Sequence, residues 1–111
     1  MTALKDLLAK VEAGLDTAHD HARAFPSESA YGHCTWHDSH KASGGDLNAA
    51  KSLHDAVLPG WKWGRQWSCH MWVETDDMPG RSERHYGNVS DPARVWLIAV
   101  LRALIAQEGE A

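Results

Sequence analysis

Trp61-Lys62-Trp63-Gly64-Arg65-Gln66-Trp67-Ser68-Cys69-His70-Met71-Trp72 holds four of the chain's six tryptophans within twelve residues. Tryptophan combines a large apolar ring with one N–H donor, so it concentrates in cores and at binding surfaces. Aromatic residues followed by Val73 and Thr75 favour extended backbone, and the stretch reads as two strands of a β-hairpin. Two turn positions fit, one near Gly64-Arg65-Gln66 and one near Ser68-Cys69-His70. Trp61 and Trp63 lie two apart and so share a strand face. They are expected in the core, against the helices on either side. Arg65 and Trp67 share that parity in a regular strand, whereas a turn at Gly64 directs them outward.

Helical patterns flank the hairpin. Upstream, Asp46 is placed to cap a helix whose Leu47, Ala50, Leu53, His54, Val57 and Leu58 share one face, and Pro59-Gly60 stops it. Downstream, residues 76–82 read as a loop and Arg84 to Val89 as a third short strand. Ser90-Asp91-Pro92 then supplies an N-cap and a proline at the first helical position. The helix it opens runs to about Gln107. Its Ala93, Leu97, Val100, Leu101 and Leu104 form one apolar face, and Val95, Ile98 and Ile105 form a second. A helix apolar on so many sides has to be sandwiched, within the chain or against another copy.

The N-terminal part places Leu4, Leu7, Leu8 and Val11 at helical spacing. Gly14 interrupts, and Leu15, Ala18, Ala22 and Phe25 resume the pattern up to Pro26, giving one kinked helix or two short ones. His19 and His21 diverge on a helix and are expected at the surface. Tyr31, His33, Thr35 and His37 alternate with Gly32, Cys34 and Trp36 in the manner of a strand, and Ser43-Gly44-Gly45 reads as a flexible connection. The fold expected is α+β. A small antiparallel sheet of two or three strands packs against N-terminal, central and C-terminal helices, in a single domain over residues 1–111.

Eleven basic and fifteen acidic residues leave a net charge of −4. That offers no electrostatic footprint for a nucleic-acid backbone, so nucleic acid is not an expected partner. Eight histidines would carry the charge from −4 to +4 if all were exposed and protonated. The N-terminus lacks the apolar core of a secretory signal, and the run Val95 to Leu101 is too short to span a bilayer. Two cysteines without an export signal are expected as reduced thiols. The sequence reads as cytoplasmic, with no membrane association.

Three blocks resemble a known group. They are Leu7-Leu8-Ala9-Lys10-Val11-Glu12-Ala13-Gly14, the run from Ser52 to Trp63 with its Leu58-Pro59-Gly60-Trp61, and the run from Asp91 to Ala106 with its Asp91-Pro92-Ala93-Arg94. Together they are similar to a family of small uncharacterised proteins carried by phages and prophages of alphaproteobacteria. The resemblance implies a phage accessory product in the cytoplasm of the host, one that acts by binding a host or phage protein. By analogy it extends to inhibition of a host defence complex, in the manner of an anti-CRISPR protein. It implies no catalytic residue.

The residues themselves give candidates for contact and for metal. Tryptophan, methionine and arginine are favoured at interfaces, so Arg65, Trp67, Met71, Trp72 and Met78 are the expected protein-binding set. Self-association through the spare face of the Pro92–Gln107 helix, as a homodimer, is the other partner expected. His33, Cys34, His37 and Cys69 are the donors from which a zinc site would be built, because zinc takes four Cys or His ligands in a tetrahedron. Their spacing departs from two clean pairs, so no cofactor is expected and a zinc module stands as the alternative. A single-stranded nucleic-acid binder, stacking bases on the tryptophans beside Lys62 and Arg65, is the other alternative. Against it, residues 61–90 carry four basic and four acidic residues. Neither cysteine has a third group to orient a neighbouring histidine, so no enzyme is expected.

Overall fold

Asp91 opens the helix around which the chain is organised. Its carboxylate accepts from the backbone N–H of Ala93 at 3.0 Å and of Arg94 at 3.4 Å. Pro92 occupies the first helical position, where no N–H is needed. A computed structural model describes residues 2–26, 35–66, 70–75, 83–86 and 91–110. In chain order these form α1 (Thr2–Ala13), α2 (Ala18–Ala24), α3 (Thr35–Ser43), α4 (Leu47–Val57), β1 (Lys62–Gln66), β2 (His70–Thr75), β3 (Glu83–Tyr86) and α5 (Pro92–Glu110). The α+β class with a small antiparallel sheet is therefore the observed one.

Ala93, Val95 to Leu101, Ala103 and Leu104 of α5 are all buried. The helix takes neighbours from β2 and β3 and also from α1, α3 and α4. Its second apolar side is thus covered by the chain itself. Val95 and Ile98 are 0% exposed and Ile105 is partly buried against the same cluster, so little of the face expected to form a homodimer through the Pro92–Gln107 helix is left uncovered.

α1 buries Leu4, Leu7 and Val11, with Leu8 packed at the margin. It ends at Gly14, whose φ of 76° is the left-handed conformation that glycine adopts without strain. Leu15 N–H returns to the Lys10 carbonyl and Gly14 N–H to the Val11 carbonyl, the paired bonds that close a helix C-terminus. Two helices result, not one kinked helix. α2 then opens on a capping box between Thr17 and Asp20. Lys10 binds Asp20 at 2.8 Å and ties α1 to α2. That ammonium, with the Thr17 N–H, holds the Asp20 carboxyl down at about 2.

α3 replaces part of the expected Tyr31–His37 strand. Residues 35–37 are helical, and residues 31–34 lie outside the described residues. The buried positions of α3 are Thr35, Ser39, Ala42 and Ser43, spaced as a helical face but made of small and mostly polar side chains. α4 is capped by Asp46, which accepts from Ala49 N–H at 3.1 Å. It buries Ala49, Ala50, Leu53, His54 and Val57, while Leu47 is exposed. Pro59 and Gly60 make the turn that follows, closed by Trp61 N–H on the Leu58 carbonyl.

The sheet has the order β1-β2-β3 and is antiparallel throughout. Trp63 pairs with Val73, Gly64 with Trp72, Arg65 with Met71 and Gln66 with His70. Gly64 is therefore an interior strand residue and not the turn, and Ser68 and Cys69 of the other turn position lie outside the described residues. β3 begins one residue before the expected Arg84 and ends at Tyr86. Val73, fully buried, joins the sheet to the hydrophobic cluster that also contains α1, α4 and α5 side chains. No helix among the described residues is long and apolar enough to cross a membrane.

Candidate functional site

His54 connects α4, the head of β1 and α5. Its ring is 1% exposed, with Nε2 3.0 Å from the Trp61 carbonyl and Nδ1 3.3 Å from Trp96 Nε1. An indole N–H only donates, so Nδ1 must accept and the neutral ring carries its proton on Nε2. Nε2 then donates to the Trp61 carbonyl. Burial holds the His54 pKa below its ordinary 6.5, although the Trp61 carbonyl works in the opposite direction.

Trp96 is thereby fixed in rotation, and Trp63 lies on it. The two ring centroids are 4.4 Å apart with planes inclined by 33°. Trp96 is 3% exposed and Trp63 is 44% exposed. Of the two tryptophans expected in the core, Trp61 is partly buried against the hydrophobic cluster. Trp63 is not core. It reaches the edge of the sheet with one face on Trp96 and a large fraction of its surface in water.

Trp72, on the alternate parity, lies across Gly64 of the paired strand. A methyl carbon built at Gly64 would fall within 3.0 Å of three atoms of the Trp72 indole. Gly64 is thus required by the neighbour's ring, an aromatic laid over a glycine gap in a sheet. Trp72 is half-buried as a result. Gly64→Ala is expected to displace the ring and to cost about 1–3 kcal/mol, as overpacking does. Urea denaturation and the near-ultraviolet circular dichroism of the tryptophans measure both effects.

A second constellation lies across α2, α3 and α5. Asp16, in the link between α1 and α2, accepts from Ser43 Oγ at 2.5 Å, His21 Nε2 at 2.7 Å and Arg94 Nη2 at 2.9 Å. His21 Nδ1 lies 2.6 Å from Ser39 Oγ. Burial pushes the Asp16 pKa up, but the hydrogen bonds from Ser43 and His21 outweigh it and hold the carboxyl below its usual 3.8. The ionised Asp16 takes the Nε2 proton bond, so Nδ1 accepts from the Ser39 hydroxyl. Burial also holds His21 below 6.5, against the pull of Asp16.

Serine, histidine and aspartate in this order are the parts of a nucleophilic triad. Here His21 and Ser39 are both 0% exposed, so no carbonyl can approach Ser39 Oγ in this conformation. The cluster is a polar core that fastens four segments. Beside it a cleft of about 190 Å³ is lined by Gly14, Asp16, His40, Ser43, Gly44 and Arg94. Arg94 Nε is buried and has no partner among the described residues. None of Asp16, His21, Ser39, Ser43 or Arg94 was expected to act together, and His21, expected at the surface, is buried.

The two buried histidines set a pH dependence. Both have folded pKa values below 6.5, so the unfolded chain takes up protons more readily as pH falls. Stability is therefore full above about pH 6.5 and declines below it, by up to about 1.4 kcal/mol per pH unit for each histidine. A second decline is expected below about 3.8, where Asp16 and Asp20, both lowered, lose their ionised advantage. Urea midpoints at pH 7.5, 5.5 and 3 test this; a flat profile from 7.5 to 5 contradicts it.

The expected site residues are only partly described. Arg65 and Met71 are register partners on β1 and β2. Trp72 is half-buried over Gly64, while Trp67 and Met78 lie outside the described residues. Of the zinc candidates, His33, Cys34 and Cys69 also lie outside them. His37 is exposed on α3 and stacks on Trp36 with ring centroids 3.8 Å apart. Among the described residues, no three His, Cys, Asp or Glu side chains are grouped so as to hold a metal ion. No protein-family model matches the chain, and no curated protein or solved structure is significantly similar to it.

Proposed function

We propose that this chain is a small accessory protein of the phage type that acts by binding another protein, without catalysis, in the cytoplasm of the host. The observation that carries this reading is Trp63, an indole 44% exposed yet held from beneath by Trp96. Side chains that dominate interfaces are large aromatics whose ordering cost has been met before the partner arrives. Trp63 meets that description, and β1, at the edge of the sheet order, carries Lys62 and Arg65 on either side of it. The resemblance of the Ser52–Trp63 and Asp91–Ala106 blocks to small phage and prophage proteins points the same way. Its finer form, in which the partner belongs to a host defence complex, rests on analogy with small phage proteins.

The test compares the natural chain with Trp63→Ser as baits in an alphaproteobacterial lysate. A stoichiometric host protein held by the natural chain and lost by the variant is the expected result, and subunits of a defence complex would bear out the finer form. Capture undiminished by the substitution overturns the site. The absence of any stoichiometric partner, together with a monomer in light scattering, overturns the binding reading itself.

A further inference from the structure

Two buried histidines hold this fold together, and they differ in how they can receive a second proton. At His21 the proton would arrive on Nδ1, facing Ser39 Oγ, with the Asp16 carboxylate on the other nitrogen. A hydroxyl can turn and accept, and a carboxylate welcomes the charge. At His54 the same proton would arrive facing the Trp96 indole N–H, which has no lone pair to offer. Donor would meet donor in a site that is 1% exposed.

Among the described residues no carboxylate is hydrogen-bonded to the His54 ring. The charged groups acting on His54 are Asp55 and Lys51 of its own helix, both exposed and paired to each other at 2.8 Å. From α5 its neighbour is Trp96, and from the head of β1 it is the Trp61 carbonyl, neither of them titratable. His37, Asp38, His40 and Lys41 are the titratable groups of α3, the other helix packed on α4.

We propose that His54 is a proton-operated latch on the aromatic edge of the sheet: its protonation expels the Trp96 indole N–H and so unseats Trp63. The two contacts of His54 respond in opposite ways. Nε2–H donates to the Trp61 carbonyl in both protonation states, and the charge strengthens that bond. The Trp96 contact alone becomes repulsive. Movement therefore falls on Trp96 and on Trp63, which is stacked upon it, while Trp61 stays in place. The inference rests on the reading of Trp63 as a contact residue, and it makes that contact depend on pH in the acid direction.

The experiment needs no partner, so its failure is distinct from failure of the binding reading. Uniformly 15N-labelled protein is titrated from pH 7.5 to 5 while its indole N–H signals and histidine ring signals are followed. The Trp96 indole is assigned by its loss in Trp96→Phe. The expected result is that its proton moves upfield and exchanges faster with water, with the midpoint of His54. Acrylamide access to Trp63 should rise in the same range, and the Trp61 and Val57 amides should stay fixed. His54→Gln, whose amide donates and accepts but does not titrate, is expected to abolish the transition. Should that variant not fold, the natural chain decides alone. A Trp96 indole still bonded when the His54 ring is fully protonated overturns the proposal. So does global unfolding before His54 takes its proton, or a transition that persists in His54→Gln.

Discussion

Asp16→Ala is expected to lower the free energy of unfolding by about 3–5 kcal/mol, the range seen when one partner of a buried ionic contact is removed. The side chain is 4% exposed and takes three bonds, from His21, Ser43 and Arg94. Truncation leaves an arginine, 24% exposed, without its carboxylate and two buried donors without an acceptor. Those groups come from α2, α3 and α5, so the loss is felt across the helical layer and not in one loop. Asp16→Asn should cost less. The amide keeps one oxygen for Arg94, and His21 can exchange tautomer to accept from the amide nitrogen. Urea denaturation at pH 7.5 separates the two, and a loss of under about 1 kcal/mol for alanine would show the carboxylate to be replaceable by water. The same variant also separates a polar core from a hydrolase. A catalytic aspartate can be removed with the fold intact, whereas this one is expected to take the fold with it.

Much of the architecture could be read from residue pattern because the dominant elements are apolar and local. α5 shows its cap in Asp91-Pro92 and its all-round burial in Val95, Ile98 and Leu101. The hairpin shows in its aromatic density. What could not be read depends on polar or distant residues. α3 buries Thr35, Ser39, Ala42 and Ser43, a helical face that hydrophobic spacing does not register. The Asp16 cluster joins positions as far apart as Asp16 and Arg94, with no local signal that they meet. The type and sequence neighbours of His21 favour the surface, yet its surroundings are supplied by α3 and the link at Asp16. Trp63 shares its strand parity with the buried Val73, but it lies at the sheet's edge, where parity alone does not guarantee cover. The seat of Trp72 has a sequence signal in Gly64, the cross-strand glycine opposite it.

Trp96→Ala is the change expected to separate support from presentation within the aromatic site. Truncating a buried tryptophan costs about 3–5 kcal/mol, and here it also leaves His54 Nδ1 without its donor. Trp63 then loses the ring beneath it, so tryptophan emission should move to longer wavelength and acrylamide access should rise. Trp96→Phe keeps an aromatic surface for Trp63 while removing the N–H and part of the ring volume. It is expected to cost about 1–3 kcal/mol, the penalty of a buried acceptor left unmatched. Trp63→Ala should fall well below Trp96→Ala in cost, because 44% of its surface is already in water. If the costs of Trp63→Ala and Trp96→Ala are equal, Trp63 is a core residue with an accidental edge. If Trp63→Ala alone is mild, the chain holds an exposed indole in a fixed pose at little benefit to its own stability, as the binding proposal requires.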